Sequence, residues 1–143
     1  SDYNLGQLLN NLMLQDAFWA AQGNMIKAPI ELVVGCIQLF NLDMPNQRQV
    51  LRLSRNMGQE LSNPPPVKGW PGGKAWYTTS NLSLREQVAA NFARQATQAA
   101  TAANPGSKTL AQLLATAPVG TLPSEQSSDY LFSVLSDPAF QVV

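Results

Sequence analysis

The stretch Lys27-Ala-Pro-Ile-Glu-Leu-Val-Val-Gly-Cys-Ile-Gln-Leu-Phe40 decides the fold. Wound as a helix at roughly 100° per residue, it clusters Ile30, Val33, Val34 and Ile37 on one side. Leu32, Cys36, Leu39 and Phe40 cover most of the remaining circumference, and only a wedge of Glu31, Gly35 and Gln38 interrupts it. A helix apolar nearly all round belongs at the centre of its fold rather than on a surface. Pro29 fits the first helical position, where a missing N–H costs nothing. A central helix is therefore predicted over 29–41.

Outward from it, helical spacing of apolar residues dominates and no convincing period-2 strand occurs. Upstream, Leu5, Leu8, Leu9, Leu12 and Trp19 share one stripe and predict a helix over 4–19, with Asn4 or Asp2 as its cap. Downstream, residues 45–57 predict an amphipathic helix. Val50, Leu53 and Met57 lie on one side of it, and Arg48, Arg52 and Arg55 lie opposite within an arc of roughly 60°. Gly58 terminates it. Further helices are predicted over 80–103, 107–117 and 124–135, and Asp137-Pro138 starts a final turn as cap and first position. Leu9-x-x-Leu12-Met13 before Asp16-Ala17-Phe18 echoes Leu131-x-x-Val134-Leu135 before Pro138-Ala139-Phe140, which reads as similar local packing rather than a repeat array. The expectation is an all-α fold: five to six helices in an irregular orthogonal bundle. It forms either a single helical domain over 1–143 or the C-terminal fragment of a larger chain.

A long structured loop is predicted over 58–79. It contains Leu61-Ser-Asn-Pro-Pro-Pro-Val-Lys-Gly-Trp-Pro-Gly-Gly-Lys-Ala-Trp-Tyr77. Three consecutive prolines stiffen the backbone toward polyproline II, and two of the three tryptophans of the chain lie here. A floppy linker carries Gly and Ser without large aromatics, so this loop is expected to be packed.

Composition excludes several function classes. Nine basic residues balance nine acidic ones, without the basic excess of a nucleic-acid binder. Only 13% of residues are charged, against about 25% in a typical soluble domain, which points to a surface that faces a partner. The chain has no histidine, so Ser-His-Asp and Cys-His arrangements within it are excluded. Its single cysteine, Cys36, cannot form an internal disulfide or a zinc knuckle. No apolar run approaches the roughly 18 residues of a membrane helix, so no membrane insertion is expected. No spacing matches a metal site, a P-loop or a dinucleotide fingerprint, and neither metal nor cofactor is implied.

Several of these segments occur in a recognisable order. Lys27-Ala-Pro-Ile-Glu-Leu-Val-Val-Gly35 is followed by Met57-Gly-Gln59, by Pro64-Pro-Pro-Val-Lys-Gly-Trp-Pro-Gly-Gly73 with Trp76, and by Arg85. Leu135-Ser-Asp-Pro-Ala-Phe-Gln141 closes the series. The pattern resembles the C-terminal portion of the bacterial family catalogued as domain of unknown function 1800. Ala28 departs from it, since the family often has serine there, which touches only a helix cap. The resemblance implies that a larger N-terminal part precedes this piece, and a periplasmic or secreted location. It also implies a possible sulfatase- or phosphatase-like neighbour protein as partner, and it carries no established activity.

Two candidate sites follow. The loop offers Lys68, Trp70 and Trp76 either as a surface for stacking on a sugar or peptide, or as a strap whose tryptophans plug the core between the third and fourth predicted helices. Arg85 shares the apolar arc of its helix with Val88, Ala89, Phe92 and Ala96. A guanidinium there needs a carboxylate or several carbonyls. Glu31 in the polar wedge is the obvious partner, and carbonyls of the Gly/Trp loop are the alternative. Arg85 then ties the loop to the core, or forms with Glu31 a ligand-binding pair. Arg48, Arg52 and Arg55 form a basic stripe that reads as a solvated face, an anion contact, or a docking face for the N-terminal part. Asn81-Leu82-Ser83 matches a glycosylation sequon by coincidence, and Asp16 and Asp137 read as caps. The function class expected is a non-catalytic binding or assembly module. The competing class is one wall of an active site whose base and nucleophile lie upstream.

Overall fold

The computed structural model describes residues 4–42, 46–65, 67–100, 114–124 and 129–143, with the backbone alone at 99 and 100. Among the described residues the fold is all-α. Its helices are α1 (Leu5–Met13), α2 (Asp16–Ala20), α3 (Pro29–Leu39), α4 (Gln47–Asn56), α5 (Thr79–Ala100) and α6 (Tyr130–Ser136), with one 3-10 turn at Gly73–Trp76. Among the described residues, extended backbone makes an isolated antiparallel bridge, Ile26 to Val142.

α3 is central, as its pattern demands. Pro29, Leu32, Val33, Cys36 and Ile37 are buried, and the wedge of Glu31, Gly35 and Gln38 faces solvent. Val50 from α4 and Met57 at its C-cap, Val88, Ala89, Phe92 and Ala93 from α5, and Leu135 and Phe140 near the C-terminus complete the core around it. α5 lies against α6 and α3 against α4. α4 is amphipathic in the expected sense, with Arg48, Arg52 and Arg55 all exposed.

The start of α3 shows how the chain manages without a capping hydroxyl. Ala28 is the N-cap residue and has no side-chain acceptor. Glu31 Oε2 accepts from Ala28 N at 2.7 Å. The N–H of Ile30, the second helical residue, donates instead to Gln59 Oε1 at 2.9 Å. Gln59 is buried and stands just beyond α4, where Gly58 turns the chain with φ +91°. The side chain of Gln59 thus does for α3 what an N-cap serine would do.

Several expectations are corrected. The predicted helix over 4–19 is two helices, broken at Leu14 and Gln15. Asn4 is its cap and accepts from Gln7 N at 3.1 Å, while Asp2 lies outside the described residues. Residues 4–22 are exposed throughout, the apolar stripe included. The echo between the two chain ends therefore has no common packing, because Val134 and Leu135 are buried whereas Leu12 and Met13 are 45% and 54% exposed. The helix expected over 107–117 falls at 107–113 outside the described residues, and 114–117 is not helical. The helix expected over 124–135 begins only at Tyr130, with 125–128 outside the description. Residues 101–103 of the alanine-rich tail and the start expected at Pro45 also lie outside it. Asn46 caps α4, accepting from Arg48 N at 3.1 Å.

Candidate functional site

Arg85 is 2% exposed at the point where three segments converge. Its Nη1 donates to Gln141 Oε1 at 2.8 Å and its Nη2 to the Lys27 carbonyl at 2.6 Å. Gln141 in turn donates through Nε2 to the Leu135 carbonyl at 2.8 Å, and its own carbonyl accepts from Lys27 N at 2.9 Å. One guanidinium thus joins α5 to the C-terminal turn and to the residue that leads into α3. Burial holds its pKa below the usual arginine value, against an opposing pull from Tyr77. The Tyr77 ring stands 6.0 Å from the guanidinium carbon. Beside it lies a cavity of about 20 Å³, lined by Tyr77, Leu82, Arg85, Glu86, Ser136 and Gln141, with room for about one water molecule.

The Glu31–Arg85 pair is therefore corrected. Glu31 is spent on the backbone N–H of Ala28, and its exposed position on α3 faces a different cavity. The alternative of carbonyl partners holds in kind, but the carbonyl belongs to Lys27 and not to the Gly/Trp loop. In the sequence Gln141 appears only as the last residue of the family-like segment from Leu135, with nothing to link it to Arg85. A glutamine three residues past Pro138 becomes informative only once the C-terminal turn is seen folded against α5.

The loop divides. Trp76 is 4% exposed, and its Cζ3 lies 3.9 Å from where a Cβ on Gly58 would be, so it plugs the space at the end of α4. Trp70 is half-buried, and Lys68 is exposed. These three residues do not converge with Arg85 or Glu31 on one concavity.

The second cavity, about 170 Å³, is a mostly apolar groove on α3 lined by Lys27, Glu31, Leu32, Gly35, Leu39 and Phe140. The Lys27 ammonium donates to the Phe140 carbonyl and stands 4.1 Å over the Phe140 ring. Burial lowers its pKa, and Cys36 and Glu31 beside it act in the opposite direction. Burial also pushes the Cys36 thiol up to about 12. In the sequence Lys27 only opens the segment that leads into α3, and nothing there places it over Phe140, 113 residues away.

Arg48, Arg52 and Arg55 of the basic stripe on α4 are all exposed. Arg55 reaches Glu60 at 3.4 Å, an exposed ion pair of little energetic consequence. Asp137 does more than cap its turn: besides Ala139 N at 2.8 Å it accepts from Val119 N at 3.1 Å and Gly120 N at 3.4 Å, pinning residues 119–120 to the core. Among the described residues no three His, Cys, Asp or Glu side chains are grouped to hold a metal, and no helix is long and apolar enough to cross a membrane.

Among the described residues, the exposed large apolar side chains concentrate on the arm formed by α1 and α2. Leu5, Leu8, Leu9, Leu12, Met13, Leu14, Phe18 and Trp19 are between 42% and 73% exposed. Trp19 Nε1 donates to the Met13 carbonyl at 2.7 Å and the Phe18 ring meets it edge-on at 5.4 Å, so the two helices hold each other.

Fold and side chains together define an all-α module with a buried arginine clasp and an exposed apolar arm. The chain belongs to the family described as "Protein of unknown function (DUF1800)", whose model matches residues 1–142. No curated protein and no solved structure matches it.

Proposed function

We propose that this chain is a non-catalytic helical assembly module, with the α1–α2 arm as its docking surface, inside a larger exported bacterial protein. The observation that carries the reading is the arm's apolar face. Eight large apolar side chains between Leu5 and Trp19 stand 42% to 73% exposed, where scattered single residues would be ordinary but a contiguous patch marks an interaction site. The core needs none of them, because the buried cluster is drawn from α3 onward. In keeping with this, the loop acts through Trp76 as a strap, and Arg85 serves cohesion.

The double substitution Leu8→Glu with Leu12→Glu tests the reading. A docking surface outside the described core predicts a thermal midpoint within a few degrees of the parent, together with loss of association and of binding to a hydrophobic dye. A fall of about 10 °C or more would show that these leucines are part of the fold's own core.

A further inference from the structure

We infer that the small cavity beside Arg85 is a binding site for one halide ion of chloride size, which supplies the negative charge that the buried guanidinium lacks. The inference concerns the body of the fold and is independent of the docking reading above.

Arg85 is 2% exposed, yet neither of its side-chain partners is charged. One is the Gln141 amide oxygen and the other the Lys27 carbonyl. Its Nε–H is buried and has no partner among the described residues. Ser136 Oγ is likewise buried and without a partner there. Both residues line the cavity of about 20 Å³, together with Tyr77, Leu82, Glu86 and Gln141. The chain thus brings a buried positive charge and two unused donors to one small space. Buried charges are ordinarily paired, and buried donors are ordinarily satisfied. A single anion meets both requirements.

Size selects among anions. The cavity has room for about one water-sized group. A carboxylate, sulfate or phosphate carries several heavy atoms and needs more space, whereas a monatomic ion is little larger than water. The same limit disfavours an acidic side chain reaching in from another segment. Charge then selects between an ion and a water molecule. Water satisfies hydrogen bonds and leaves the guanidinium uncompensated. A halide accepts from the Nε–H and from the serine hydroxyl and also neutralises the charge.

Glu86 does not supply that charge. It is exposed, it makes no ion pair with Arg85 among the described residues, and as the next residue on α5 it leaves the helix roughly 100° away. The position of the site gives the ion a role. Arg85 belongs to α5 and Ser136 is the last residue of α6, so one ion held by both ties the two helices together.

Thermal unfolding of the 143-residue chain at constant ionic strength, with sodium chloride replacing sodium gluconate, tests the proposal. About a tenfold excess of chloride over its Kd is expected to raise the midpoint by roughly 3 °C or more, with saturation. Ser136→Ala removes one donor, so the chloride concentration for half the effect should rise about tenfold. Glu86→Gln removes a carboxylate from the cavity wall and should lower that concentration, a change that a bound water does not produce. Bromide-soaked crystals should show anomalous scattering within hydrogen-bond reach of Arg85 Nε and Ser136 Oγ. Equal midpoints in chloride and gluconate overturn the proposal, and so does a water at that position in the bromide-soaked crystal. A chloride effect that neither substitution changes puts the ion elsewhere and overturns it as well.

Discussion

Arg85 is a charge with no carboxylate partner among the described residues, held by one amide oxygen and one carbonyl. Removing it leaves both acceptors buried and unpaired, and each charge-assisted hydrogen bond is worth roughly 1.5–3 kcal/mol. Arg85→Ala is therefore expected to cost about 3 to 5 kcal/mol in urea unfolding, seen as a lower midpoint at unchanged slope. Arg85→Lys recovers less than half, since an ammonium lacks the planar fork that reaches two acceptors at once. A subtler prediction concerns Gln59, which satisfies the Ile30 N–H in place of a cap hydroxyl. Gln59→Ala is expected to cost about 1–2 kcal/mol. Ala28→Ser supplies that hydroxyl locally, so the double variant should regain about half of the loss. A coupling energy near zero in that double-mutant cycle would separate the two roles. At this scale the sequence exposed Arg85 as a misplaced charge, because helical periodicity put it on an apolar arc. Its partners were illegible, since Gln141 and Lys27 are 56 and 58 residues away along the chain, and spacing rules describe neighbours only.

α3 was the most legible element, because its burial is written around the whole helix. Both the interrupting wedge and the opening proline stand where the pattern puts them. Gly35 sits in that wedge within a regular helix, exposed, and a Cβ added there would meet nothing within 4 Å. A helix-interior glycine costs roughly 0.5–1 kcal/mol relative to alanine. Gly35→Ala is therefore expected to raise stability by that amount, measured as a higher urea midpoint; a loss would mean that the groove beside it has to stay open for folding. α1 shows the opposite case. Its stripe has the same spacing as a core helix, and periodicity does not say whether the surface that covers it lies in the same molecule. Nor did the sequence show the break at Leu14 and Gln15, where neither Gly nor Pro punctuates the chain. The pairing of residues 23–27 with 141–143 carries no period-2 signal because only a single bridge forms.

Among the described residues the buried core of the whole molecule is drawn from α3 onward, and Cys36 can report on whether the α1–α2 arm braces it. The thiol is 1% exposed in the core cluster, and its pKa is raised from 9.0 to about 12 by burial. Below pH 9.0 the thiol is protonated in both folded and unfolded chains and adds no pH dependence. Above it the unfolded chain loses the proton while the folded one keeps it, so stability falls as pH rises from 9.0 toward 12. At pH 8 the folded thiol is both shielded and protonated, and a disulfide reagent reaches it only through opening of the body. Under fast opening and closing, the labelling rate follows the population of the open form. Arg85→Ala should then speed labelling by at least about 100-fold, because every 1.4 kcal/mol is a factor of ten. Deleting residues 1–20 should leave the rate unchanged within about threefold in dilute, monomeric protein. Faster labelling after that deletion would mean that the arm braces the core, whereas an unchanged rate locates all the cohesion of the fold from α3 onward.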